Sequence, residues 1–166
     1  LVGSEMCIRD SPKKQEEAVS LAKQADTVLL CLGLDELRES EGLDRADMAL
    51  AENQQQLLDA VAAVNPNVVV LLSAGAPVET PWVGRCKALV YGALGGQAGA
   101  GAAADILTGK LCPCGKLSQT WAKAYDDTPA KANFGGEGRN VEYREGLYVG
   151  YRYSVSYTHL RAHETE

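Results

Sequence analysis

The run Glu39-Ser40-Glu41-Gly42-Leu43-Asp44-Arg45 gathers three carboxylates and an arginine within seven residues. Carboxylates are general acids and bases, and one held against a substrate can pass a proton to or from its oxygen. Glu41 is the candidate for that work, because the glycine after it would let backbone approach closely. The plain alternative is a solvated loop in which Asp44 pairs with Arg45 or Arg38, the commoner fate of surface carboxylates. Placement decides between the two readings.

The loop follows Thr27-Val28-Leu29-Leu30-Cys31-Leu32, an apolar and partly β-branched run that ends at Gly33. Such runs read as parallel strands covered on both faces, with Cys31 as a small buried hydrophobe. Ligands of open parallel α/β sheets sit outside the carboxyl ends of the strands, where this loop emerges. Lys13 to Ala25 carries Ala18, Leu21, Ala22 and Ala25 on one helical face, and Ala51 to Val64 carries Leu57, Leu58, Val61 and Val64, with Asn65-Pro66-Asn67 as its stop. Val68 to Leu72 reads as a buried strand, Ala88 to Tyr91 as a shorter one, and Gln97 to Leu107 as a helix closed by Gly109. The order α-β-α-β-β-α predicts an α/β fold with a parallel sheet. Ser118 to Asn140 reads as polar connection, and Leu147 to Tyr153 alternates like a final strand.

The 166 residues, 46% of them hydrophobic, are enough for one domain, and no apolar stretch approaches the length that spans a bilayer. A net charge of -6 and a pI near 5.0 exclude the basic stripe that a nucleic-acid binder needs. The two ends read as foreign. Codons exist for Leu1 to Asp10 whose reverse complement reads, in frame, as Val155 to Glu164. That relation resembles opposite strands of one sequencing-library adapter, so 1–11 and 154–166 are expected to be adapter-derived and 12–153 to be the domain. Both histidines, His159 and His163, fall in the second flank at the H-x-x-x-H spacing of zinc sites. Without the flanks no histidine remains, histidine-based triads and metal sites lose their members, and the charge falls to about -4 because each flank carries a formal -1. Cys31, Cys86, Cys112 and Cys114 read as free thiols suited to a reducing compartment. Cys112-Pro113-Cys114 has no second ligand pair for metal work.

Gly99-Ala100-Gly101-Ala102-Ala103-Ala104 fits the dinucleotide pattern G-x-G-x-x-A. A true fingerprint follows its strand directly and has an acid about 20 residues on. Here several residues intervene and the acid position falls near Gln119, so close helix-to-sheet packing accounts better for the small residues.

Five motifs in order resemble glycoside hydrolase family 3 over nearly all of Pro12 to Tyr153. They are Glu39-Ser40-Glu41-Gly42-x-Asp44-Arg45, Gln54-x-x-Leu57-Leu58, Val70-Leu71-Leu72-Ser73-x-Gly75-x-Pro77-Val78, Gly95-Gly96-Gln97-x-Gly99 through Asp105-Ile106-Leu107-x-Gly109, and Tyr143-x-Glu145-Gly146-x-Tyr148-Val149-Gly150-Tyr151-Arg152. Cys114 stands where the family usually has serine.

The resemblance implies an incomplete α/β sandwich, with a mainly parallel sheet and helices on both faces, from a β-glucosidase-like enzyme. It implies that Glu41 is the acid/base, with Asp44 and Arg45, and likewise Glu39 and Glu145, as supports, and that Gln97 and Asp105 cap and pack their helix. The aspartate nucleophile would lie in a barrel domain outside this chain, so the chain alone is expected to be inactive. Sandwich strands upstream would be missing too, and the sheet edge left exposed would invite aggregation. The partners implied are a β-linked glycoside and the barrel, with no cofactor, nucleic acid or membrane. The alternatives are a flavodoxin-like nucleotide-binding module, or a family member of xylosidase, hexosaminidase-like or phosphorolytic type.

Overall fold

The computed structural model describes residues 12–136, 138–154 and 159–160. They fall into two compact units, one from the described parts of Leu1–Ala76 and Trp82–Cys112, the other from those of Pro77–Pro81 and Pro113–Glu166. The first unit holds helix α1 (Pro12–Ala22), strand β1 (Val28–Gly33), helix α2 (Glu52–Ala62), strands β2 (Val68–Ser73) and β3 (Ala88–Tyr91), and helix α3 (Gly99–Leu107). This is the expected order of elements, and the fold is of the α/β sandwich class. The three strands form one parallel sheet in the order β1-β2-β3, with Val28 opposite Val68 and Val69 opposite Ala88.

β2 is central, and its alternate residues Val68, Val70 and Leu72 are fully buried. The helix α2 stripe of Leu57, Leu58 and Val61 is buried as well, at the i, i+1, i+4 spacing of a core-facing helix. Asn65 ends this stretch with more than a turn signal. It is 5% exposed, donates from Nδ2 to the Ala22 and Ala25 carbonyls at 2.8 and 2.7 Å, and accepts from Asn67 N–H at 2.8 Å. One side chain thereby closes the carboxyl end of α1 onto the entry to β2.

Several expectations need correction. On α1 only Ala22 is buried, while Leu21 is 45% exposed and Ala25 is exposed. β1 is not covered on both faces: Leu29 and Cys31 are exposed, and their β2 neighbours on that face, Val69 and Leu71, are only half-buried, so this face of the sheet is the less covered one. The small residues of α3 do not reflect close packing. No residue of the helix is buried, and a Cβ added at Gly99 or Gly101 would meet nothing within 4 Å.

In the second unit Trp121–Ala122 (β4) pairs antiparallel with His159–Leu160 (β5), and Trp121 is buried in a stretch read as loose connection. Leu147 to Tyr153 is not a strand. Gly146 and Gly150 have φ of 55°, which breaks the extended path, and Gly150–Arg152 forms a 3-10 turn. His163 and the rest of the two predicted flanks, apart from Ser154, His159 and Leu160, lie outside the described residues. No described helix is long and apolar enough to cross a membrane.

Candidate active-site loop

Residues 34–51 leave the carboxyl end of β1 and return to the start of α2, and hydrogen bonds hold the first end to the sheet and the second to α2. The Gly33 peptide group is bracketed by the Gln54 side chain, which accepts from its N–H and donates to its carbonyl, each at 2.9 Å. A primary amide used this way imitates a neighbouring strand. Gly33 must be glycine, since a Cβ there would lie 2.1 Å from the Ser73 carbonyl oxygen. Leu34 N–H donates to that same oxygen at 3.1 Å. At the far end Leu50 is buried, and its carbonyl accepts from Gln55 Nε2 at 2.9 Å.

Between these anchors the loop folds on itself. Asp35 accepts from the N–H groups of Leu37 and Arg38 at 3.1 and 2.9 Å, and its carbonyl accepts from Glu39 N–H at 2.9 Å, giving one helical turn. Arg38 reaches across to Asp47, 3.6 Å away, and to the Ala49 carbonyl at 3.4 Å. The pair formed is thus Arg38 with Asp47, not with Asp44. The half-buried Glu39 turns inward and accepts from Gly75 N–H, just beyond β2, at 2.9 Å.

Ser40, Glu41, Gly42 and Leu43 form the tip, with Leu43 N–H 3.5 Å from the Ser40 carbonyl. Gly42 has φ of 77°, the left-handed third position of a type II turn. Its role is this dihedral and not close approach, because nothing lies within 4 Å of an added Cβ. Glu41 occupies the apex, is exposed, and makes no hydrogen bond or ion pair among the described residues. Asp44 is exposed and Arg45 half-buried on the descending limb. Glu145 belongs to the other unit.

Two residues beside the loop carried no sign in the sequence of what they touch. Tyr91, at the end of β3, donates its hydroxyl to the Ala74 carbonyl at 2.7 Å. Burial, and after it the Glu39 charge, pushes the Tyr91 hydroxyl above its ordinary value of 10.0. Gly75 is the second, with an amide that meets a residue 36 positions earlier. No local pattern marks such a partner. Asp35 was legible in principle as an Asx-type turn former. Elsewhere burial raises the Cys86 thiol, partly offset by a backbone hydrogen bond. Asp105 pairs with Lys110 at 3.0 Å rather than capping the start of α3, and Gln97 is exposed. Among the described residues no group of three or more His, Cys, Asp or Glu could hold a metal ion.

The sheet edge can therefore offer an unencumbered carboxylate at the apex of a loop fixed by its neighbours, while Glu36 and Asp44 are exposed and unpartnered among the described residues on its two limbs. Residues 6–151 match the family model for the glycosyl hydrolase family 3 C-terminal domain. The chain is 47% identical over 137 residues to thermostable beta-glucosidase B of Acetivibrio thermocellus, covering 82% of this chain and 18% of that protein. It is 44% identical over 147 residues to an exo-alpha-(1->6)-L-arabinopyranosidase of Bifidobacterium breve, covering 88% and 19%. The solved GH3 beta-glucosidase of Bifidobacterium adolescentis superposes with a TM-score of 0.83 at 47% identity, over 86% of this chain and 21% of that one. The chain spans about a fifth of the length of the curated relatives it matches.

Proposed function

The chain belongs to glycosyl hydrolase family 3, and from that membership we propose that residues 12–153 are part of the C-terminal domain of a retaining glycosidase, with Glu41 as its acid/base. The observation that carries the role is the state and place of the carboxylate. Glu41 stands exposed and without a partner among the described residues, a state that Glu36 and Asp44 share, and it differs from them in standing at the apex of the loop, with Asp35, Arg38 and Glu39 engaged below it. In the first step its carboxylic acid would protonate the glycosidic oxygen as the bond to the sugar breaks. In the second its carboxylate would take a proton from the water that cleaves the glycosyl-enzyme. A retaining pair needs a second carboxylate about 5 Å away, and that nucleophile would come from the rest of the parent chain. Burial that holds such an acid protonated would come from there too. Asp44 and Arg45 would keep the descending limb in place.

The sugar is a separate question. Relatives named as a beta-glucosidase and as an arabinopyranosidase match at 47% and 44% identity, so a terminal β-glucoside is the first substrate to try and an arabinopyranoside the second.

The test is Glu41→Gly in the full-length parent enzyme. With a glycoside whose aryl leaving group needs no protonation, bond cleavage should survive while hydrolysis of the glycosyl-enzyme falls roughly a hundred- to ten-thousand-fold. Azide should restore turnover, because it attacks without base assistance and leaves as the glycosyl azide. The 166-residue chain alone should turn over neither glycoside. An unchanged rate in Glu41→Gly, or turnover by the chain alone, would refute the assignment.

A further inference from the structure

We infer that Glu39 is a positioning residue for this reaction: its carboxylate clamps the loop to the Gly75 amide at the carboxyl end of β2 and so fixes where Glu41, two residues on, presents its acid. The inference rests on the reading of Glu41 as the acid/base and adds what aims it. Three observations support it. The Glu39 Oε2 to Gly75 N distance is 2.9 Å, within the range of a charge-assisted hydrogen bond. The donor end of the clamp is itself held, since Tyr91 donates at 2.7 Å to the carbonyl of Ala74, the residue before Gly75. A side chain at Gly75 would have to push the Glu39 carboxylate aside, because an added Cβ would stand 2.8 Å from Glu39 Oε1 and 2.8 Å from Leu94 Cδ1.

The clamp joins two segments 36 residues apart at the point where the loop turns outward. Upstream, the Asp35 turn sets the direction of the chain into Glu39, whose own N–H is bonded to the Asp35 carbonyl at 2.9 Å. Downstream, only Ser40 separates the clamped residue from Glu41. A displacement of Glu39 is therefore passed on to Glu41 with little slack. Misplacement of a reacting group by about 1 Å can cost about a hundredfold in rate.

The experiment compares Glu39→Ala, Glu39→Gln and Gly75→Ala with Glu41→Gly in the full-length parent enzyme. Glu39→Ala should lower kcat about a hundredfold with KM changed less than about threefold. Glu39→Gln keeps an oxygen that can accept from Gly75 N–H and should recover most of kcat. Gly75→Ala should reproduce Glu39→Ala by crowding the carboxylate. The double variant should be no worse than either single one, as expected when both remove the same contact. Hydrogen exchange at the Gly75 amide, read independently of activity, should accelerate in Glu39→Ala and stay slow in Glu39→Gln.

If Glu41→Gly behaves as an acid/base variant while Glu39→Ala keeps parental kcat, the clamp alone falls. Parental activity in Glu41→Gly removes the acid/base reading, and with it the reason for aiming Glu41. Azide rescue of Glu39→Ala would make Glu39 itself the acid/base and overturn both. A Glu39→Gln variant as impaired as Glu39→Ala, with Gly75 exchange unchanged in both, also refutes the clamp.

Discussion

Replacing Asn65 tests the foundation beneath the loop. Its side chain makes three hydrogen bonds of 2.7–2.8 Å from a position 5% exposed. In Asn65→Ala water can reach the exposed Ala25 carbonyl, so that bond costs about 1 kcal/mol. The Ala22 carbonyl belongs to a residue only 3% exposed, and leaving it unpaired costs about 1–3 kcal/mol. With the partly buried Asn67 N–H also released, the total is about 3 kcal/mol. At a urea slope of about 2 kcal/mol per molar, the midpoint should fall by about 1.5 M with the slope unchanged. Far-UV circular dichroism during urea titration gives both quantities. Asn65→Asp sharpens the test because it keeps the shape and the acceptor toward Asn67 but turns an oxygen toward two carbonyl oxygens. That carboxyl should be harder to ionise when folded than when unfolded. Its raised folded pKa means that stability is held below the unfolded value, near 4, and lost as pH rises through the folded one. Asn65→Asp should therefore be nearly as weak as Asn65→Ala at neutral pH and recover in acid. A midpoint shift under about 0.3 M for Asn65→Ala, or an Asp variant indifferent to pH, would refute this account of how α1 is closed onto β2.

Two further outcomes follow from the loop. Gly42→Ala meets no steric obstacle but must adopt φ of 77°, so it should cost about 1–2 kcal/mol, and Gly42→Asn less, by thermal unfolding. Equal stability of Gly42→Ala and the parent would show that the tip does not hold that turn. Tyr91 should ionise above its ordinary value of 10.0, by burial first and the Glu39 charge second, in an alkaline absorbance titration differenced against Tyr91→Phe. Its raised folded value means that its share of stability is complete below about pH 10 and lost above, and Glu39→Gln should lower the value only part-way. A Tyr91 titration unmoved by Glu39→Gln would separate the two groups.

What the sequence disclosed, and what it hid, follows from the range of each interaction. The order of elements was legible from local signals: Val68 to Leu72 is an unbroken apolar and largely β-branched run, and Leu57, Leu58 and Val61 share a helical stripe. Burial on β1 was not legible, because Leu29 and Cys31 have the composition of a covered strand and only tertiary packing decides which face of the sheet is covered. The glycines of Leu147 to Tyr153 were the overlooked local signal, since Gly146 and Gly150 bend a segment whose alternation suggested a strand. At the candidate site the seven-residue motif was plain, but the division of labour among its carboxylates was not. Glu39 and Glu41 are chemically identical in the sequence. They differ only because Gly75, far along the chain, offers an amide to one of them.

That difference also explains why a carboxylate can be fixed without being consumed. A group that must give and take protons cannot spend its oxygens on structural hydrogen bonds, since those favour the charged form and hold it there. The loop meets this constraint by assigning support to other groups. Gln54 holds Gly33, Asp35 organises the turn, Arg38 spans to Asp47 and Ala49, and Glu39 reaches the sheet. Each of these contacts uses backbone or a charge other than that of Glu41, so the apex gains its direction from the loop while its oxygens stay available. In the proposed enzyme the order of sensitivity follows: substitutions at Glu39 or Gly75 should act through kcat, those at Gln54 and Asn65 through stability, and only Glu41 should answer to azide.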